Sequence, residues 1–332
     1  MKISVIGAGG WGTTIAILLH ENGNEVSLWE YKKEYADTLK TKRENSLLLP
    51  GIKIPEPVYI THDLQECIKN RDMIVLAVPS QFLRSVIEQF NFDDIKNTIL
   101  VSVAKGIEKN TLLRMTQVIK SVFPNLGDDK IAALSGPSHA EEVSRKVPTT
   151  LVAASLSEET AQTVQKIFMN SYLRVYHSTD IIGVELGGSV KNVIAIAAGI
   201  IDGAKFGDNT KAAVMTRGIA EISRLGVALG SKAETFAGLS GMGDLIVTCM
   251  SRHSRNRYVG EKIGEGKKLK EIIDSMNMVA EGVESSRSVK ELAVKAGVET
   301  PIVDQVYKIL FEDKDPIAAT YELMTRDMKS EM

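Results

Sequence analysis

The chain opens on a pattern that leaves few folds available. Lys2–Ile6 is a short apolar stretch, and Gly7, Gly9 and Gly12 follow it in the spacing G-x-G-x-x-G before an apolar run from Thr13. Strand, glycine triplet and helix in that order describe the first turn of a dinucleotide-binding α/β sheet. Gly7 permits the tight turn, Gly9 lets a pyrophosphate approach the backbone, and Gly12 lets helix and strand pack closely. The helix N-terminus offers amide donors to the phosphates. A lone glycine triplet would read as a flexible turn, but its place between strand and helix favours the dinucleotide site.

Residues 25–29, 73–78 and 99–103 are further apolar runs, the last two each followed by a segment of helical period, as in parallel strands covered on both faces. Between the first two runs lies a polar, Lys-rich stretch that contains Pro and extends through Pro57. Residues 131–134, 149–154 and 173–176 add strands, with helices near 140–145 and 158–168. From Ile181 onward apolar positions recur at helical spacing with almost no strand-like alternation. The expected fold class is therefore α/β, a Rossmann-like, right-handed, doubly wound parallel sheet followed by an all-α C-terminal domain. A length of 332 residues calls for two domains. They are expected at 1–182 and 183–332, with the reactive centre in the cleft between them.

Hydrophobic content of 44% and charged content of 25% are those of a folded globular chain, and a net charge of −2 gives no general attraction to nucleic acid or an anionic membrane. Anion binding must be local. Cys67 and Cys249 make no disulfide framework, and the scattered histidines make no metal-ligand spacing, so no metal is expected. The first strand has no cationic leader before it, and the longest apolar run, 193–201, falls short of a membrane span. These features predict a cytoplasmic protein with no membrane span.

Three stretches carry candidate chemistry for a small anionic substrate. In ELGGSVKNVIAIAAGI, Lys191 and Asn192 interrupt an apolar helix. Either the lysine stem packs while its head snorkels to water, or a desolvated ammonium of lowered pKa serves as acid or base. Gly187 and Gly188, one turn earlier, favour the second reading because they let a ligand approach. In GLSGMGDLIVTC, Asp244 and Thr248 share one helix face, and Asp244 suits a first-turn or capping carboxylate as well as it suits catalysis. In SRHSRNR, Ser254, Arg255 and Asn256 set a charged fork and a helix N-terminus against one phosphate, with a solvated basic patch as the alternative.

Over essentially its whole length the chain resembles the bacterial NAD(P)-dependent glycerol-3-phosphate dehydrogenases. The resemblance is carried by GAGGWGT, VAVPS, SVAKGIE, LSGPSHAEEV, GVELGGSVKNVIAIAAGIIDG, GDNTKAAVMTRG, GLSGMGDLIVTC, SRHSRNR and VAEGVES. It implies reversible hydride transfer between dihydroxyacetone phosphate and sn-glycerol 3-phosphate, supplying phospholipid synthesis in the cytoplasm. Lys191 becomes the proton acceptor in the oxidising direction, and Lys105 and Asp244 join it as the catalytic set. Lys105 contacts both ligands, Gly136 and Ser138 line the substrate, and Asp244, Ser254, Arg255 and Asn256 complete its site beside Asn192 and Thr248. On the cofactor side the family pattern adds Gly10, Trp11, Tyr31, Lys32, Lys105, Ala140, Arg255, Val279 and Glu281 to the glycine triplet. A homodimer is compatible with it.

One departure concerns the cofactor. Family members that prefer NADPH usually carry a small or neutral residue after the Trp that closes the second strand, whereas this chain has Glu30 followed by Tyr31, Lys32 and Lys33. A carboxylate there suits a free ribose 2′-hydroxyl and so favours NAD, while Lys32 and Lys33 offset its repulsion of a 2′-phosphate. Two rivals share the general plan. The 6-phosphogluconate and β-hydroxyacid dehydrogenases also use a helix-borne lysine, but they call for a carboxylate site and not the SRHSRNR and GMGD stretches. A redox-sensing NAD-binding module has no need of Lys105, Lys191 and Asp244 together.

Overall fold

The computed structural model describes residues 1–276, 279–328 and 330–331. Its first half runs β1 (Lys2–Ile6), α1 (Gly10–Glu21), β2 (Glu25–Trp29), α2 (Lys33–Lys42), β3 (Tyr59–Thr61), β4 (Met73–Leu76), β5 (Ile99–Ser102), β6 (Ile131–Ser135), α3 (Ala140–Val143), β7 (Thr149–Ser155), α4 (Glu158–Phe168) and β8 (Leu173–Ser178), with short helices between. The eight strands form one sheet in the order β3-β2-β1-β4-β5-β6-β7-β8. Alternation along β1 shows how its faces are covered: Ile3 and Val5 pack with Ile15 and Leu19 of α1, while Ile6 joins Ile74, Leu76 and Leu100 on the other side. Strand order reverses at β1 and β4, so the loops after these two strands open a crevice at their carboxyl ends, where open α/β sheets bind ligands.

The sheet departs from expectation in three places. It is not wholly parallel, because β7 runs antiparallel to β6 and β8 then runs parallel to β7. The four-residue α3 is too short to carry the chain back along the sheet, as a parallel crossover requires. Strand β3 was not foreseen, since three residues just beyond the polar, Pro-containing stretch are too few to display alternation. Helix α1 begins at Gly10 and not at Thr13, which puts the second half of the glycine pattern inside its first turn.

The second half is helical and comprises α5 (Ile181–Gly203), α6 (Asp208–Ala228), α7 (Asp244–Met250), α8 (Arg255–Gly264), α9 (Glu281–Lys295) and α10 (Pro301–Phe311), with shorter helices between and after them. Asp180 caps α5 through the Gly183 amide at 3.0 Å and accepts from Ser231 and Thr235 at 2.8 and 2.6 Å, which ties the helix start to the segment after α6. Contrary to the reading of residues 193–201, α5 as a whole is long and apolar enough to cross a membrane, with a mean hydropathy of 1.5, yet 94% of that window is buried inside the protein. A helix apolar on all sides is one surrounded by other elements, and α5 is the axis of the helical half.

Helices α5 and α8 touch backbone to backbone. A Cβ added at Gly199 or Gly203 would lie 2.0 Å from the Arg257 carbonyl oxygen or 2.1 Å from that of Glu261, and one at Gly260 or Gly264 would lie 2.0 or 2.4 Å from the Ile196 or Ile200 carbonyl oxygen. Two glycines one turn apart on each helix thus face each other. The contact carries functional residues with it, because Asn192 on α5 and Asn256 on α8 meet at 2.9 Å. Gly199→Ala and Gly260→Ala should each lower stability by about 1–3 kcal/mol or more, as overpacking does, read as an earlier urea midpoint at unchanged slope. A midpoint equal to that of the unmodified protein would show that the two backbones do not meet.

Candidate active site

The glycine pattern is built as its spacing predicts. Gly7 has φ +112°, and a Cβ there would sit 2.9 Å from the Ala77 carbonyl oxygen, while one at Gly12 would sit 1.8 Å from that of Gly7. At Gly9, by contrast, a Cβ would meet nothing within 4 Å among the described residues. Gly9 precedes α1 without a side-chain cap, so the first amides of the helix are left for a ligand. The residues present therefore fit a pyrophosphate. Gly10 faces the Leu48 carbonyl oxygen, Trp11 packs against the core beside the sheet, and Thr14 Oγ1 donates to the Ala140 carbonyl at 3.4 Å, which ties α1 to α3. At the end of β2, Glu30 is buried and its Oε1 accepts from the Lys32 amide at 3.1 Å, whereas Tyr31 and Lys32 are exposed. Burial pushes the Glu30 carboxyl above its ordinary pKa.

A second cluster joins the two halves of the chain. Lys191 is 5% exposed and donates to Asp244 Oδ1 and to Thr248 Oγ1, both at 2.6 Å. Lys105, from the loop after β5, donates to Asp244 Oδ2 at 2.8 Å, to the Gly136 carbonyl at 2.8 Å and to Ser138 Oγ at 3.3 Å. Asp244 is thus held between two lysines, one oxygen each. Burial pushes its carboxyl up, but the two ammonium groups outweigh burial and leave it below the ordinary carboxylate range. Burial also pushes the Lys191 ammonium down to about 8; the Lys105 charge adds to the fall and Asp244 opposes it. The lysine head does not reach water, and Asp244 is the first-turn carboxylate of α7 but its side chain caps no helix, being turned instead to the two lysines.

The SRHSRNR stretch divides its labour. Arg257 pairs with Asp202 and Glu261, Ser254 caps α8 by accepting from the Arg257 amide at 3.2 Å, and Arg255 stays exposed with Nη1 donating to the Val279 carbonyl at 2.9 Å. Asn256 is a tie as much as a ligand group, since it donates to Asn192 Oδ1 and accepts from the Gly282 amide, both at 2.9 Å. Asn192 in turn donates to the Lys105 carbonyl at 3.3 Å. Glu281, at the start of α9, accepts from the Ser80 amide at 3.0 Å and from its hydroxyl, which brings it to the loop after β4 at the crevice.

Gly187 and Gly188 do not open α5 to a ligand. A Cβ at the first would lie 2.5 Å from the Ser240 carbonyl oxygen and one at the second 2.5 Å from Ser135 Oγ, with the Lys105 stem beyond, so protein fills both places. His139 and Ser80 escaped the sequence reading. The Nε2 of His139 is buried without a hydrogen-bond partner among the described residues, and its ring lies 5.9 Å from that of His253. Burial, with the Lys191 charge adding to it, pushes the imidazole down to about 4 and keeps it neutral. Its only signal in the sequence was its place directly after Ser138, because a single histidine has no spacing to betray it.

The description "NAD-dependent glycerol-3-phosphate dehydrogenase N-terminus" matches residues 2–161, and its C-terminal counterpart matches residues 180–321. The chain is 56% identical over 331 residues to the glycerol-3-phosphate dehydrogenase (NAD(P)+) of Pelodictyon phaeoclathratiforme, covering 100% of this chain and 99% of that one. It is 52% identical over 333 residues to the enzyme of that name from Fusobacterium nucleatum, covering 100% and 99%. Among solved structures, glycerol-3-phosphate dehydrogenase from Coxiella burnetii superposes with a TM-score of 0.92 at 37% identity, over 98% of this chain and 99% of that one. D-mandelate dehydrogenase, at a TM-score of 0.59 and 17% identity over 98% and 100% of the two chains, shares the fold alone. The chain belongs to the NAD-dependent glycerol-3-phosphate dehydrogenase family.

Proposed function

We propose that the chain reduces dihydroxyacetone phosphate to sn-glycerol 3-phosphate, reversibly, with NAD or NADP as cofactor, and that Lys191 moves the proton. The buried Lys191–Asp244–Lys105 cluster carries this reading. When bound, the nicotinamide supplies the hydride for reduction and takes it back in oxidation. An ammonium has three hydrogens, and Lys191 commits two of them to Asp244 and Thr248, which leaves the third to donate to a carbonyl oxygen. In oxidation the neutral amine accepts the hydroxyl proton. Lys105 has all three hydrogens engaged by protein, so it holds Asp244 in place and adds positive charge beside Lys191.

Arg255, the free hydroxyl hydrogen of Ser254 and the remaining amide hydrogen of Asn256 take the phosphate at the start of α8, with Gly136, Ser138, Asn192 and Thr248 around the rest of the substrate. Gly7, Gly9, Gly10, Trp11 and Gly12 receive the cofactor with Glu30, Tyr31, Lys32, Ala140, Val279 and Glu281. Residues 1–182 serve as the cofactor domain and 183–332 as the substrate domain. The protein acts in the cytoplasm and feeds phospholipid synthesis.

The assignments are tested at Lys191, Arg255 and Glu30. Lys191→Ala should lose about 10²- to 10⁴-fold in kcat with cofactor affinity hardly moved. Because the donor must be protonated, wild-type reduction should decline as pH rises through the Lys191 pKa of about 8, and oxidation should rise over the same range. Near-normal turnover in the alanine variant would return Lys191 to a packing role.

Replacing Arg255 by Ala should cost about tenfold or more in kcat/KM for dihydroxyacetone phosphate, with Arg255→Lys recovering only part, since an ammonium cannot reproduce the planar fork. Unphosphorylated dihydroxyacetone should be a very poor substrate whose rate falls much less on mutation. Equal losses for both compounds would place Arg255 with the cofactor or the fold. At the adenosine end, NADH should serve at least as well as NADPH, and Glu30→Ala should move the ratio toward NADPH. A strong NADPH preference that the substitution leaves unchanged would refute the role given to Glu30.

A further inference from the structure

Residues 43–58, between α2 and β3, pass in sequence for plain connection, yet they contain a carboxamide buried to 0% exposure, that of Asn45. Its Nδ2 donates to the Ala8 carbonyl and to Thr13 Oγ1, both at 2.8 Å, and its Oδ1 accepts from the Tyr35 hydroxyl at 2.6 Å and the Leu48 amide at 3.2 Å. Every hydrogen-bonding position of the group is in use. Of the four partners, Ala8 lies in the glycine pattern, Thr13 directly after it, Tyr35 on α2 just beyond Glu30–Lys32, and Leu48 in the strap 45–50. That strap in turn sets the Leu48 carbonyl oxygen where it lies 2.9 Å from any Cβ added at Gly10.

We infer that Asn45 is the positioning residue of the cofactor site, fixing the direction of the phosphate-binding amides and coupling them to the end of β2. The carbonyl of Ala8 and the amide of Gly9 belong to one planar peptide unit, and the chain has no cis peptide among its described residues, so the two point in opposite directions. Drawing the Ala8 carbonyl inward onto Asn45 turns the Gly9 N–H outward, on the residue whose Cβ position is open. Thr13 Oγ1 fixes the next turn, and Thr13 N closes the loop onto the Gly9 carbonyl at 2.9 Å. Through Tyr35 the same carboxamide reaches α2, so the pyrophosphate end and the ribose end of the site share one anchor.

This rests on the proposal that the crevice binds NAD(P), and the test separates the two. The full chain is titrated with NADH by calorimetry, KM for dihydroxyacetone phosphate is measured at saturating NADH, and the melting temperature is recorded, for the wild type, Asn45→Ala, Asn45→Asp and Tyr35→Phe. Absence of NADH binding by the wild type overturns the cofactor reading itself. With that binding present, both Asn45 variants should weaken NADH by about tenfold or more, and Tyr35→Phe, which severs one bond outside the glycine loop, by a smaller factor. KM for dihydroxyacetone phosphate should stay near its wild-type value. The inference is overturned if folded variants bind NADH as tightly as the wild type, or if NADH affinity, substrate KM and melting temperature all deteriorate together. If the Asn45 variants do not fold, Tyr35→Phe decides: unchanged NADH affinity overturns the inference and selective weakening supports it.

Discussion

The contact of α5 with α8 is the constraint on which the helical side of the candidate site depends. Where two helices are separated by side chains, their spacing adjusts to the volume of those side chains. Here glycines on both helices bring carbonyl oxygens to within 2.0–2.4 Å of where a Cβ would be, so the spacing is set by the backbones themselves. Lys191 and Asn192 ride on one helix, Arg255 and Asn256 on the other, and the Asn192–Asn256 hydrogen bond lies along the same line of approach. Lys191 and Asn192 are thereby placed relative to Arg255 and Asn256 by a feature with almost no conformational freedom. This matters because a small misplacement of reacting groups costs orders of magnitude in rate.

The sheet half reaches this frame through an apolar seam of Ala133, Val152 and Ala154 against Ile181 and Val184, and through a few directed polar contacts. Lys105 meets Asp244, Ser80 meets Glu281, and Arg114 and Thr116 meet Glu185 of α5. Each pairs a group from a loop or helix start beside the sheet with a carboxylate of the helical half. A crevice at the strand ends and a cluster on α5 and α7 become one site by these joints, and Lys105 belongs to both a joint and the cluster.

Much of this was legible in the sequence, and the remainder has identifiable physical causes. The glycine pattern, the alternation of strand and helix, and the helical second half are local, periodic signals. Lys191 and Asp244 stood out because a charge in an apolar helix is unusual. The antiparallel β7 was not legible, since strand direction depends on the length of α3 and not on the strand's own residues. Asn45 was not legible because a lone buried amide has no period, and its partners Ala8, Thr13, Tyr35 and Leu48 are assembled only by folding. Gly187 and Gly188 were legible as a place of close approach, but sequence does not say what approaches, and it is the Ser240 backbone and the side chains of Ser135 and Lys105.

Asp244 spends both oxygens on lysines, and this has an electrical consequence. Two ammonium groups share one carboxylate in a region where Lys191 and Asp244 have almost no access to water, so the cluster carries one positive charge without a counter-ion of its own. A buried charge that lacks compensation is unfavourable. Loss of one proton from Lys191 would leave the cluster uncharged, which is the direction in which burial already pushes that ammonium.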